Sequence, residues 1–428
     1  MKKILVISNN LPFPPKDGGR ARIYHLYSRL AKKYQITWVS PIWDGEEENI
    51  PGTLRFCHQV IPLPKEEIFS FPSSGWKGLM KRVLAHLHFP RLFEFAFGYV
   101  NAPGVYWLPK TPQRLRKIQE ILEQNHFDLI ISEFEGNAEL IPEQITIPRI
   151  LSTHNVQSHL FWRARKTFPG TWLDRVFLFP EWQKIIHYEK KNYRRYNGIL
   201  AVSQNDQRTL EKRCPGIPVK LVPNGVDTEY FFPSSSSPVP HTMVYLGNYA
   251  YPPNADAVRY FYTRIFPKIR ARFPDAKLIL IGASPPKELC GEDGVEALGF
   301  VEDVRPNVHQ AEVMIVPLRT GGGTRLKILD GMAMGKAIVS TTLGAEGLQV
   351  IDGENILLAD TPDTFAAQVI RIMENAELRQ KLEKNGRTLV ERLYNWDAIA
   401  REAGEWIETF LYQPALLQLQ REEMNAQG

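Results

Sequence analysis

The run Gly321-Gly322-Gly323-Thr324-Arg325-Leu326-Lys327 sets three glycines directly before two cations and a helix-forming stretch that continues through Asp330 to Ala333. Consecutive glycines let a bulky group approach the backbone closely. A helix starting there adds unpaired N–H groups and the positive end of its dipole. With Arg325 and Lys327 added, this is the chemistry that holds a diphosphate, and Asp330 can accept hydrogen bonds from a ribose. Arg325, Leu329 and Met332 cannot all face the ligand, so part of this run reads as core.

Three other short stretches carry chemistry-bearing residue types at the ends of expected strands. Gly18-Gly19 follows the first apolar run and precedes a helical pattern, so a phosphate could lie against it. The spacing is not that of a dinucleotide fingerprint, which argues against an oxidoreductase. His154-Asn155 comes just after the strand pattern 149–152. A lone histidine is usually structural, but a strand's carboxyl end is where open α/β sheets bind ligands. Pro223-Asn224-Gly225-Val226-Asp227 is a turn that a domain exit also explains. The segment from Gly331 to Ala337 looks faintly like a P-loop. Its glycine gap is one residue short, Ala337 stands where a hydroxyl should hold magnesium, and it leads from helix to strand.

The elements that must position these residues alternate along the chain. Strand patterns fall at 3–8, 35–40, 58–63, 127–132, 148–152, 198–202 and 218–222, with helical patterns from about Ala21 and at 112–124, 173–196 and 204–213. After a Pro/Ser-rich stretch at 227–241 the alternation restarts. Strands are expected at 242–247, 277–282, 312–316, 336–340 and 355–359, and helices at 254–272, 302–309, 324–334 and 362–375. This order predicts parallel sheets covered on both faces, in two α/β halves at 1–222 and 242–390. An amphipathic helix is expected over 396–411, and the polar residues 415–428 are expected to fray. The aromatic and basic segment 68–108 breaks the pattern. It reads as an irregular insertion, or as a surface for a membrane or a lipid-linked acceptor.

Composition narrows the function classes. The 428 residues include 43% apolar and 23% charged types, as in an ordered globular protein. A net charge of +5 is too small to imply nucleic acid and suits an anionic substrate or membrane surface. Cys57, Cys214 and Cys290 are dispersed and form no Cys-x-x-Cys, so neither a local zinc site nor a disulfide framework is expected. The apolar run at 4–7 is too short for a signal-peptide core, and no apolar stretch is long enough to span a bilayer. A cytoplasmic location follows as the expectation, with the inner membrane face as a variant of it.

The chain resembles the retaining, nucleotide-sugar-dependent glycosyltransferases of family four, which have the GT-B fold. The resemblance is carried by Gly18-Gly19, Ala201-Val202-Ser203, the 223–227 turn, Leu298-Gly299-Phe300-Val301, the run from Gly321 to Gly335, Gly344-Ala345-Glu346-Gly347 and Asp352-Gly353-Glu354-Asn355. The first half further resembles a bacterial exopolysaccharide or lipid-linked glycan subgroup. It implies two Rossmann-like domains with a cleft between them, an acceptor-side first domain rejoined by the 396–411 helix, and a donor-binding second domain. It also implies transfer of a sugar from a nucleotide-diphospho-sugar, used as co-substrate without a resident cofactor, to a glycan or lipid-linked acceptor with retention.

By the same resemblance Gly18 and Gly19 approach the donor phosphates and His154 orients the transferred sugar. Val301 meets the base, and Asn248, Gly322, Gly323, Thr324 and Asp330 contact the donor, while Arg325 and Lys327 hold the diphosphate. Two departures stand out. Gly322 occupies the position of the family's first glutamate, and the stretch 247–254 lacks the Arg and Lys often found there. No Asp-x-Asp occurs, which fits a metal-independent site. The rival readings are a degenerate sugar-nucleotide-binding protein and a sugar-nucleotide epimerase of the same fold.

Overall fold

The computed structural model describes residues 1–15, 17–65, 111–164, 172–321 and 325–412. Gly322, Gly323 and Thr324, the insertion expected at 68–108 and the tail 415–428 therefore lie outside the described residues. The chain divides into two units, Met1–Val222 rejoined from Ala400 onward, and Pro223–Ile399.

The first unit is built on seven parallel strands: β1 (Lys3–Ile7), β2 (Gln35–Pro41), β3 (Gln59–Leu63), β4 (Leu129–Glu133), β5 (Arg149–Ser152), β6 (Gly198–Ala201) and β7 (Val219–Leu221). Their order across the sheet is β3-β2-β1-β4-β5-β6-β7. The central strands are buried along their length because helices cover both faces, so they read as continuous apolar runs rather than alternating ones. Ile4 of β1 pairs with Ile36 on one side and Leu129 on the other. The order reverses between β1 and β4, which opens a crevice at their carboxyl ends.

The first helix starts three residues earlier than its periodicity indicates, at Gly18 rather than Ala21. Asp17 explains the difference. Its side chain caps the helix by accepting from the Arg20 N–H at 3.0 Å. Gly18 and Gly19 thus form the first helical turn, not the loop before it. Ile23, Leu26, Tyr27 and Leu30 then face the core.

The second unit repeats the plan with β8 (Thr242–Leu246), β9 (Lys277–Ile281), β10 (Val295–Gly299), β11 (Val313–Val316), β12 (Ala337–Ser340) and β13 (Leu357–Leu358). The order is β10-β9-β8-β11-β12-β13, all parallel, with the reversal between β8 and β11. The stretch 227–241 belongs to this unit. Arg387 donates to the carbonyls of Thr228 and Phe231, and Arg305 lies 4.0 Å from the centre of the Tyr230 ring. The last described helix, Trp396–Tyr412, begins in the second unit and runs into the first. There Tyr34 donates to the Gly404 carbonyl at 3.2 Å. No described helix is long and apolar enough to cross a membrane.

Candidate functional site

In the second unit the chemistry collects at the β8/β11 reversal. The helix Leu326–Ala333 starts there, with Arg325 in a non-helical cap conformation just before it. Ile328, Leu329, Met332 and Ala333 turn into the core, which leaves Lys327 and Asp330 on the opposite, partly buried face. Arg325 is itself buried, and its Nη1 lies 3.5 Å from where a Cβ on Gly321 would sit.

Lys327 reaches across to the end of β8. Its ammonium donates to Tyr245 Oη at 2.9 Å and Asn254 Oδ1 at 2.8 Å, and sits 4.1 Å from the Tyr245 ring centre. Tyr245 donates to the same Asn254 Oδ1 at 2.8 Å. The Asn254 amide in turn donates to the Asn248 carbonyl at 2.8 Å. One side chain, Asn254, therefore joins the loop 247–254 to the lysine of the neighbouring helix. The loop sits tightly on β9. Gly282 has φ +134°, and a Cβ there would lie 2.0 Å from the Gly247 oxygen, so only glycine fits. Gly282 also donates to Gly299 at 2.7 Å, bringing the end of β10 alongside. Beyond it Val301 packs on the core and Phe300 stands out, 73% exposed.

The electrostatics of this corner suit an anionic ligand. Burial, together with the charge of Arg325, pulls Lys327 down from 10.5 to about 7, against the attraction of Asp330. Burial pushes Asp330 up from 3.8 to about 7, opposed by Lys327. A negatively charged ligand would restore the full charge on Lys327.

In the first unit His154 is the centre of a second cluster. It lies two residues past Ser152, and Ser152 is the register partner of Glu133 at the end of β4. The imidazole Nε2 is 2.7 Å from Glu133 Oε2. Tyr27 donates to Glu133 Oε1 at 2.5 Å, and the buried Arg22 bonds the Val222 carbonyl at 2.8 Å nearby. Burial pushes the Glu133 carboxyl up, but His154, Arg22 and Tyr27 outweigh it and hold the group below the usual carboxylate range. Phe134, at φ +72°, stacks on the imidazole with centroids 4.1 Å apart and 23° between planes. On the far side Nδ1 is 3.7 Å from the Cβ position of Gly19, an ordinary contact distance, so residue 19 lies directly against the ring.

The expected residues thus form two groups. Asn248, Arg325, Lys327 and Asp330 gather in the second unit, with Val301 on a neighbouring strand end. Gly19 and His154 meet in the first, beside Gly18. Three residues escaped the sequence reading: Glu133, Tyr245 and Asn254. For Glu133 the available signal was an acid at the end of a β-rich run. Asn254, after Pro252-Pro253, offered only a helix-start pattern. Tyr245 lies inside a buried strand and offered none. Among the described residues, no group of three His, Cys, Asp or Glu side chains is arranged to hold a metal ion.

Two parallel-sheet α/β units with reversed strand order, each carrying its polar cluster at the carboxyl ends, define the GT-B class. The solved structure of Anabaena Alr3699/HepE in complex with UDP has this fold, with a TM-score of 0.64 at 13% identity, covering 96% of this chain and 100% of that one. Family models match both halves: "Glycosyltransferase Family 4" over residues 82–230 and "Glycosyl transferases group 1" over residues 240–375. The chain belongs to the family-four-type glycosyltransferases of GT-B fold.

Among its relatives is the phosphatidyl-myo-inositol mannosyltransferase of Mycobacterium tuberculosis, 29% identical over 243 residues. That match spans 52% of this chain and 62% of the mannosyltransferase. A 44.6 kDa protein of the cps region of Klebsiella pneumoniae is 20% identical over 410 residues, 92% of this chain and 97% of that protein.

Proposed function

We propose that the protein transfers a sugar from a nucleotide-diphospho-sugar to a glycan or lipid-linked acceptor, with retention of anomeric configuration. The observation that carries the reading is that Lys327, in the first turn of the Leu326–Ala333 helix and two residues past the buried Arg325 at its cap, is tied through Asn254 to the Asn248 loop. Cleavage of the bond between the sugar C1 and the diphosphate oxygen builds negative charge on the departing diphosphate. Cations and helix N–H groups aimed at that charge stabilise the transition state more than the ground state. Arg325 and Lys327 supply this role in place of the cations lacking from the 247–254 loop, with no metal required. Gly322, Gly323 and Thr324 contribute backbone contacts to the phosphates, Asp330 takes the ribose and Val301 the base.

In the retaining route the acceptor oxygen bonds to C1 on the face from which the diphosphate leaves. The acceptor's proton passes to the departing diphosphate oxygen, so no protein nucleophile is needed. His154, with Gly18 and Gly19 beside it, orients the transferred sugar. UDP bound to the similarly folded Anabaena protein favours a uridine donor. The mycobacterial relatives, named for phosphatidyl-myo-inositol, favour a lipid-linked acceptor.

The test is transfer from a panel of UDP-, GDP- and ADP-sugars into lipid-extract and oligosaccharide acceptors, with the product's anomeric proton read by NMR. A product carrying the donor's anomeric configuration supports the proposal. An inverted product refutes retention. Acceptor-free isomerisation of the donor would move the assignment to an epimerase.

A further inference from the structure

We infer that Glu133 is a positioning residue: it fixes the proton of His154 on Nε2 and thereby makes Nδ1 the atom that His154 offers to a substrate hydroxyl. The inference deepens the proposed function and rests on its placing of His154 against substrate.

An ionised carboxylate only accepts hydrogen bonds. Glu133 Oε2 lies 2.7 Å from Nε2, so the ring must present an N–H there. The carboxylate is kept ionised by its setting. Burial pushes the group up, but the His154 hydrogen bond and charge, then the buried Arg22 and the Tyr27 hydroxyl on Oε1, outweigh it and hold the group below the usual carboxylate range. In the neutral imidazole the proton on Nε2 leaves a lone pair on Nδ1.

The direction of that lone pair is also set. Phe134 lies flat on the ring, 4.1 Å between centroids, and does so from a left-handed backbone conformation that a bulky residue rarely adopts. Strain of this kind persists where the surroundings enforce it, and it clusters at functional sites. Nδ1 faces the first turn of the Gly18–Leu30 helix, 3.7 Å from the Cβ position of Gly19, and Asp17 Oδ1 lies 3.3 Å from that same point.

The chemistry of the ligand follows. In the neutral ring the lone pair at Nδ1 accepts from a hydroxyl and repels a phosphate oxygen, which is itself an acceptor. His154 therefore reads a sugar or acceptor hydroxyl at that atom. Glu133 does not touch the reacting atoms and acts only through the imidazole.

The test uses the full chain with 15N-labelled histidine, the His154 signals being identified by their loss in His154→Asn. In wild-type protein, with the pH raised until the imidazole is neutral, a pyridine-type shift at Nδ1 and a pyrrole-type shift at Nε2 are expected. Glu133→Gln should give a mixture of tautomers. A wild-type proton on Nδ1, or an unchanged tautomer in Glu133→Gln, overturns the inference. The wild-type spectrum decides by itself if the variant does not fold.

Kinetics give an independent arm. Glu133→Gln should lower kcat on the order of 10- to 100-fold, the scale of partners that orient a functional histidine, with donor KM changing less than about threefold. In a His154→Ala background the same substitution should add no further loss. Additive losses would contradict action through the imidazole. Should the wild type transfer no sugar from any donor, the proposed function fails while the spectrum still decides the tautomer.

Discussion

Replacing Lys327 with methionine is expected to stabilise the ligand-free protein and to abolish its response to nucleotide. The pull on Lys327 from 10.5 to about 7 corresponds to about 5 kcal/mol of preference for the uncharged form. Against this, the ammonium donates at 2.9 and 2.8 Å to Tyr245 and Asn254, and each bond contributes about 1 kcal/mol net. Asp330 also loses its cation, but at about 7 it can take up a proton instead. The Tyr245–Asn254 bond survives the substitution, and methionine fills a similar volume. The net gain is about 1–3 kcal/mol, or a rise in melting temperature of roughly 3–10 °C for a unit of this size. Thermal denaturation with and without UDP reads both effects. Wild type should be less stable alone and gain on adding UDP, whereas Lys327→Met should start higher and gain nothing. A lower melting point in the variant, or an undiminished shift with UDP, would refute the reasoning.

The same corner should make binding pH-dependent. Diphosphate favours the charged lysine, so affinity for a UDP-sugar should fall up to about tenfold per pH unit above about 7, with proton uptake seen by calorimetry in buffers of different ionisation heat. For stability the two shifts act in opposite directions. The raised Asp330 lets the folded state hold more protons than the unfolded one between 3.8 and about 7, so stability falls with rising pH there. The lowered Lys327 does the reverse from about 7 to 10.5. Their joint contribution is least favourable near pH 7, and a pH series of urea midpoints for wild type against Lys327→Met should reveal that minimum. Gly282→Ala drives a Cβ to within 2.0 Å of the Gly247 oxygen, and should cost about 2 kcal/mol or more in urea unfolding while weakening UDP binding. Arg213→Ala strips the buried Glu189 of its cation and leaves Ser158 as its partner at 2.7 and 2.9 Å. A loss of about 3–5 kcal/mol, partly recovered in Arg213→Lys, is expected in the same assay.

The order of strands was readable because a sheet buried on both faces writes each strand as an apolar run, as in β1 and β11. Where that condition lapses the sequence falls silent. The edge strand β10, Val-Glu-Ala-Leu-Gly, is partly exposed and carries no such run. The helix Ala376–Leu393 is mostly polar and went unpredicted, since only one face packs on the core. The helix expected over 254–272 is interrupted by a π-helical turn at Phe261–Ile265, just ahead of Pro267. Ending β4 at 132 instead of Glu133 had the larger consequence, because that acid is the one bonded to His154. The P-loop likeness was rightly set aside. Lys336 donates to the carbonyls of His309 and Ala311 at 3.0 and 2.9 Å and serves the fold. Cations and glycines were visible as types, whereas Asn254 and Tyr245 acquire their roles only from contacts across 73 and 82 residues of sequence.

The most direct measurement is a titration of the wild-type protein and of the Arg325→Ala/Lys327→Ala double variant with UDP, GDP and ADP and their sugar conjugates, read by calorimetry. The account predicts that wild type binds one nucleotide class and that the double variant loses that binding while keeping its fold. Equal binding by both proteins would contradict the assignment of the diphosphate site, and no binding of any nucleotide by wild type would contradict the account as a whole.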